Sequence, residues 1–216
     1  MQLVTYWRRN LEDFLRRHSG PALLLATLFV VGVIFGALAV HSIEARDRLE
    51  LVSYLSGNLQ RLVTPPEGTG GVLFRQGLWG KLKLLALLWV LGISLVGVVG
   101  VMLLVFLEGL LSGFVVGFVA AEMGGTGILL AIAGHLPQRL LEVPAIIVAG
   151  TASVAFSLQV IRSWRQRRRV RNFYPALASF TGTLLAMGVL LVLSSLVESY
   201  VSPALVRFVL SMVKGA

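Results

Sequence analysis

The sequence predicts an all-α, polytopic integral membrane bundle with about five crossings, a broken helix or helical hairpin in its middle, and amphipathic flanking helices. Three observations carry that prediction. The 216 residues are 56% hydrophobic and only 13% charged, with a mean hydropathy of +0.86, whereas soluble domains carry roughly 25% charged residues. Uncharged runs recur that are long enough to cross a bilayer, since a helix rises about 1.5 Å per residue and about 20 residues span a hydrocarbon core of about 30 Å. The basic residues cluster beside these runs, where they meet anionic headgroups and set orientation. That placement assigns the net charge of +9 to anionic lipid and not to nucleic acid. The chain has no cysteine, which excludes disulfides, thiolate metal sites and cysteine nucleophiles.

Residues 1–216 read as one membrane domain. Residues 1–19 form a cytoplasmic amphipathic segment, with Leu3, Trp7, Leu11 and Phe14 on one helix face and Arg8, Arg9, Arg16 and Arg17 as its main charges. The first transmembrane helix, 21–41, contains the uncharged run Pro21–Val40. Ala37-Leu38-Ala39 resembles a signal-peptidase site, but the run exceeds a signal h-region and reads as a retained anchor. Residues 42–83 are expected to form an extracytoplasmic loop. It has a helical stripe (Val52, Leu55, Leu59, Leu62) and a Pro- and Gly-rich break at Thr64–Gly71. Arg75, Trp79, Lys81 and Lys83 then lead into the bilayer. Residues 84–200 hold the remaining bundle, with uncharged or nearly uncharged spans at Leu84–Leu107, Val143–Ile161 and Pro175–Val197. Residues 201–216 are an extracytoplasmic tail with Val206, Val209, Leu210 and Val213 on one side of a short helix.

Gly109–Leu136 is apolar but interrupted by Glu122-Met123-Gly124-Gly125-Thr126-Gly127. Three glycines in four residues beside a carboxylate disfavour a continuous helix. Both the Arg8–Arg17 block and the Arg162–Arg171 block, which includes Arg165, Arg167, Arg168 and Arg169, are expected to be cytoplasmic. An even number of crossings must separate them, so the interrupted region supplies one net crossing. The N-terminus is then cytoplasmic and the C-terminus outside.

Gly109, Gly113 and Gly117 share one helix face, and Gly32 and Gly36 repeat the spacing in the first helix. Small residues let helix backbones approach closely in lipid. Such a face serves packing within the chain or, against a second copy, a homodimer. Glu108, Glu122, His135, Gln138, Arg139 and Glu142 form a candidate buried polar cluster, and ionisable groups at membrane depth are functional candidates by default. They could line an ion or substrate path in a transporter or channel component, or simply pair with one another. No catalytic, cofactor-binding or metal residues are expected. There is no H-E-x-x-H, P-loop or Gly-x-Gly-x-x-Gly motif, and His18, His41 and His135 fall in separate segments.

The pattern across Lys81–Leu158 resembles the stage II sporulation protein M family. Its carriers are Lys81-Leu82-Lys83, Trp89-Val90-Leu91-Gly92-Ile93-Ser94, Glu108-Gly109, Gly113-Phe114-Val115-Val116-Gly117-Phe118, Met123-Gly124-Gly125-Thr126-Gly127, Leu136-Pro137-Gln138, Val143-Pro144-Ala145 and Phe156-Ser157-Leu158. The N-terminal arginine flank and first helix fit as well. Two positions depart from the family pattern: Arg139 stands where the family has Asn, and Glu108 where it has a basic residue. The two changes would compensate each other electrically if they face one another. The resemblance implies a non-enzymatic membrane protein on the mother-cell side of the sporulation septum. It would act in forespore engulfment by anchoring the peptidoglycan hydrolases called stage II sporulation proteins D and P.

Overall fold

The computed structural model describes residues 18–44, 46–53, 69–165 and 173–214. The expected N-terminal amphipathic segment with Arg8, Arg9, Arg16 and Arg17 lies outside the described residues, as do Arg167, Arg168 and Arg169 and most of the Val52–Leu62 stripe. Every regular element among the described residues is helical. Helix α1 is Ser19–Ala39, closed by a tight turn at Val40–Ser42. A short helical segment occupies 46–53. Helix α2 is Thr69–Ile93, α3 is Gly97–Arg165, α4 is Phe173–Leu196 and α5 is Ser202–Lys214. Four of these helical stretches are long and apolar enough to cross a membrane.

Helix α3 doubles back on itself. Gly124 has φ 56° and ψ −135°, a backbone conformation closed to side chains with a Cβ. The chain reverses there, and the arms 97–123 and 125–165 run antiparallel. The pairing shows in Glu108 facing Arg139 at 3.9 Å and in Gly150 lying against Val101 and Val105. The interrupted region is therefore a hairpin, but one much longer than Gly109–Leu136, with its break confined to the tip. Pro137 and Pro144 lie within the second arm without ending it; each removes one backbone bond from the helix. Alanine at Gly124 has room for its Cβ, so its cost is backbone strain alone. Gly124→Ala is expected to destabilise the fold by about 1–3 kcal/mol, measured by denaturant unfolding in detergent.

Helix α1 lies along the first arm of α3 in parallel, with both chains advancing together. A Cβ on Gly109 would strike the Phe29 carbonyl, one on Gly113 the Val33 carbonyl, and one on Gly117 would meet Ala37. From the other side, Gly32 abuts Phe106 and Leu110, and Gly36 abuts Leu110 and Phe114. Both small-residue faces named from the sequence thus close on each other within one chain, and backbone meets backbone as lipid-embedded packing favours.

The second traverse differs from the sequence expectation. It runs through Phe74–Ile93 and not Leu84–Leu107, so residues 69–83 are helix and not loop. The chain then reverses at Ser94–Val96. There the Ser94 hydroxyl accepts the Val96 N–H at 3.3 Å, and the Ser157 hydroxyl donates to the Ser94 carbonyl at 2.8 Å. A boundary drawn at the last lysine failed because Lys81 turns into the bundle to meet carboxylates, and because Ser94–Val96 carries no charge or proline to mark a turn.

Helix α4 packs antiparallel to α2 and to the second arm. The Trp89 indole donates to Thr181 at 3.1 Å, and Phe156 stacks on Phe180 with ring centroids 4.7 Å apart. The core contains Leu25, Leu88, Val101, Val105, Ile146 and Ala149, all nearly solvent-free. Leu23, Val99, Leu140 and Leu185 point outward and are largely exposed, the inverse of a soluble surface and the expected outer face in lipid. α1, α2, the two arms of α3, and α4 give five traverses of the bundle. The expected tail helix is α5, which seats Val206 and Val209 on Leu130 and Ala133 near the hairpin tip.

Candidate functional site: an ionic cluster within the bundle

Three elements bring a charged cluster together inside this apolar frame. α2 supplies Lys81. The α3 hairpin supplies Glu108 from one arm and His135, Gln138, Arg139 and Glu142 from the other. Glu198 comes from a single π-helical turn, Val197–Val201, that joins α4 to α5. Glu108 sits about 18 Å from the Ser94–Val96 turn and about 24 Å from the Gly124 tip at 1.5 Å per residue, so the cluster lies near mid-depth.

Lys81 is the hub. Its ammonium contacts Glu198 Oε2 at 2.8 Å and Glu142 Oε2 at 3.8 Å, and donates to the Ser194 hydroxyl at 3.0 Å. Ser194 in turn donates to the Gln138 backbone carbonyl at 3.1 Å. Arg139 Nη1 lies 3.6 Å from Glu142 and 3.9 Å from Glu108, and its Nη2 lies 3.5 Å from His135 Nε2. The side chains of Lys81 and Glu142 are only 8% and 6% exposed. Charges withdrawn from water to this degree require partners, and each has one. Glu108 and Arg139, the two departures from the family pattern, face each other as an acid and a base.

Of the candidates read from the sequence, Glu108, His135, Gln138, Arg139 and Glu142 meet here. Glu122 does not. The Gly124 reversal holds it at the hairpin tip, where its carboxylate accepts from Arg48 Nε at 2.5 Å. That pair ties segment 46–53 to the tip, and Arg48 is about half exposed. Exposed pairs contribute roughly 0–1 kcal/mol, so Glu122→Gln is expected to leave detergent unfolding within about 1 kcal/mol of the wild type. Lys81, Ser194 and Glu198 were missed. Glu198 carries a readable signal, because it is the acid that interrupts the last apolar stretch, and ionisable residues at that depth invite attention. Lys81 reads as an interfacial flank unless a carboxylate partner is known. Among the described residues no group of three or more His, Cys, Asp or Glu side chains is placed to hold a metal ion.

Five apolar traverses around a paired ionic cluster define a polytopic α-helical membrane protein. The family model described as Stage II sporulation protein M matches residues 25–203, which takes in every traverse. The chain belongs to that family, whose name places it among sporulation-related membrane proteins, and the family is not one of known enzymes. No curated protein and no solved structure matches the chain.

Proposed function

We propose that this protein is a non-enzymatic membrane scaffold that anchors peptidoglycan hydrolases, the D- and P-type stage II sporulation proteins, at the septum during engulfment. The observation that carries this reading is the family match across 25–203, since anchoring these hydrolases is what the family resemblance implies. The bundle suits the role physically. Its core is packed, with Leu25, Val101, Val105 and Ile146 nearly solvent-free, so its outer faces can serve as a rigid platform for a partner's anchor helix. With the N-terminus cytoplasmic, the hairpin tip, segment 46–53 and helix α5 lie on the side where wall hydrolases act. The anionic-lipid contacts assigned to the basic flanks fall on the opposite side.

Fluorescent D- and P-type hydrolases in sporulating cells test the reading. They are expected to concentrate at the septum with the wild-type protein and to disperse without it. Deleting 44–60 is expected to reduce recruitment while the protein remains in the membrane. Septal hydrolase in cells that lack the protein would remove the scaffold role.

A further inference from the structure

The ionic cluster opens on one side into a cavity of about 260 Å³ between α2, the second arm of α3, the π-helical turn and the first turns of α5, lined by Gln76, His135, Gln138, Glu198, Ser202 and Val206. Two of its polar groups are buried and unpaired. Gln138 Oε1 and Ser202 Oγ have no hydrogen-bond partner, and their residues are 4% and 5% exposed. A buried oxygen without a partner costs about 1–3 kcal/mol, so two lining one cavity call for an occupant that such oxygens can hold. The π-helical turn sits at the same place, a distortion that frequently marks functional sites.

Charge points the same way. Lys81 and Arg139 face three carboxylates, those of Glu108, Glu142 and Glu198. With all five ionised, the cluster holds one uncompensated negative charge at a depth where isolated charge is expensive. One added positive charge would balance the fully ionised cluster, and the unpaired cavity atoms are oxygens. Amide, hydroxyl and carboxylate oxygens are the ligands of hard cations.

We propose that this cavity binds one monovalent cation, held by Glu198, Gln138 Oε1 and Ser202 Oγ with the water the cavity admits. Two sources share that chemistry, an alkali-metal ion and a hydronium ion. The charged and titratable groups around the site are Lys81 on α2, Glu108 on the first arm, His135, Arg139 and Glu142 on the second, Glu198 itself, and Arg207 on α5, whose Nε donates to the carbonyl of the cavity-lining Pro203 at 3.3 Å. The site does not depend on the scaffold reading, because it is a property of the bundle alone.

The test is thermal unfolding of the full-length protein in detergent, followed by tryptophan fluorescence. Sodium or potassium chloride is exchanged for N-methylglucamine chloride at constant ionic strength. A saturable rise in unfolding temperature with sodium or potassium identifies an alkali ion. No alkali effect, but a rise on acidification from about pH 8 to about pH 6 in N-methylglucamine that Ser202→Ala weakens, identifies a proton held with the cavity water, whereas a rise that Ser202→Ala leaves unchanged is protonation of a carboxyl elsewhere in the cluster and overturns the proposal. In both cases Glu198→Gln, which balances the cluster, is expected to abolish the response. Ser202→Ala loses no existing hydrogen bond. It is expected to unfold like the wild type in N-methylglucamine, so it guards against a folding defect, while its half-saturating cation concentration rises roughly tenfold. A wild type indifferent to alkali ions and pH, or equal responses in the wild type and both variants, would overturn the proposal.

Discussion

Leucine in place of Gly113 is expected to leave almost no folded protein. Its Cβ would occupy the space of the Val33 carbonyl, and that atom is backbone, so no rotamer change can relieve the clash. α1 would have to move away from the hairpin along its length, which opens the contacts at Gly32, Gly36 and Gly109 together. Overpacking a well-packed core costs about 1–3 kcal/mol where side chains can adjust, and a backbone-to-backbone clash exceeds that range. The expected readout is a severalfold loss of monodisperse protein on size exclusion in mild detergent. Gly182→Leu, at an exposed position with open space around it, serves as the control and is expected to purify normally. Equal yields from both variants would contradict the packing of α1 on α3.

The second large effect is expected at Lys81. Methionine there keeps much of the volume but removes the ammonium that contacts Glu142 and Glu198 and bonds Ser194. Arg139 would then be left with Glu108 and Glu142, and Glu198 would lose its cation. Breaking a buried ionic pair from one side costs about 3–5 kcal/mol, because the remaining charge stays buried. Lys81→Met should lower stability by that order in denaturant titrations in detergent. Adding Glu198→Gln should recover part of the loss by removing one of the stranded charges. A Lys81→Met protein as stable as the wild type would show that the lysine is hydrated and not the hub of the cluster. Lys83, two residues on, is exposed and lies over the Trp79 ring at 5.6 Å; its replacement should have little effect.

The difference between these neighbouring lysines shows how far the sequence could be read. Length, hydropathy and the glycine-rich interruption were enough for a helical membrane bundle and a central reversal, because the bilayer leaves backbone few alternatives. The small-residue faces at Gly32, Gly36, Gly109, Gly113 and Gly117 were visible too, although only the structure shows that they close on each other. Partnering was not visible. Lys81 looked like a flank because its carboxylates lie 61 and 117 positions further along the chain, and Glu122 looked buried because the Gly124 turn placing it at the tip has no fixed geometry in sequence. The Ser94–Val96 reversal was hidden for a related reason: it is built from one serine's side-chain and backbone bonds inside an apolar run.

The anchoring role is tested most directly by co-purification. The tagged protein, solubilised in mild detergent from sporulating cells, should retain the D- and P-type wall hydrolases, and the variant lacking 44–60 should retain less while eluting as folded protein. Folded, monodisperse wild-type protein that retains neither hydrolase in several detergents would contradict the scaffold account.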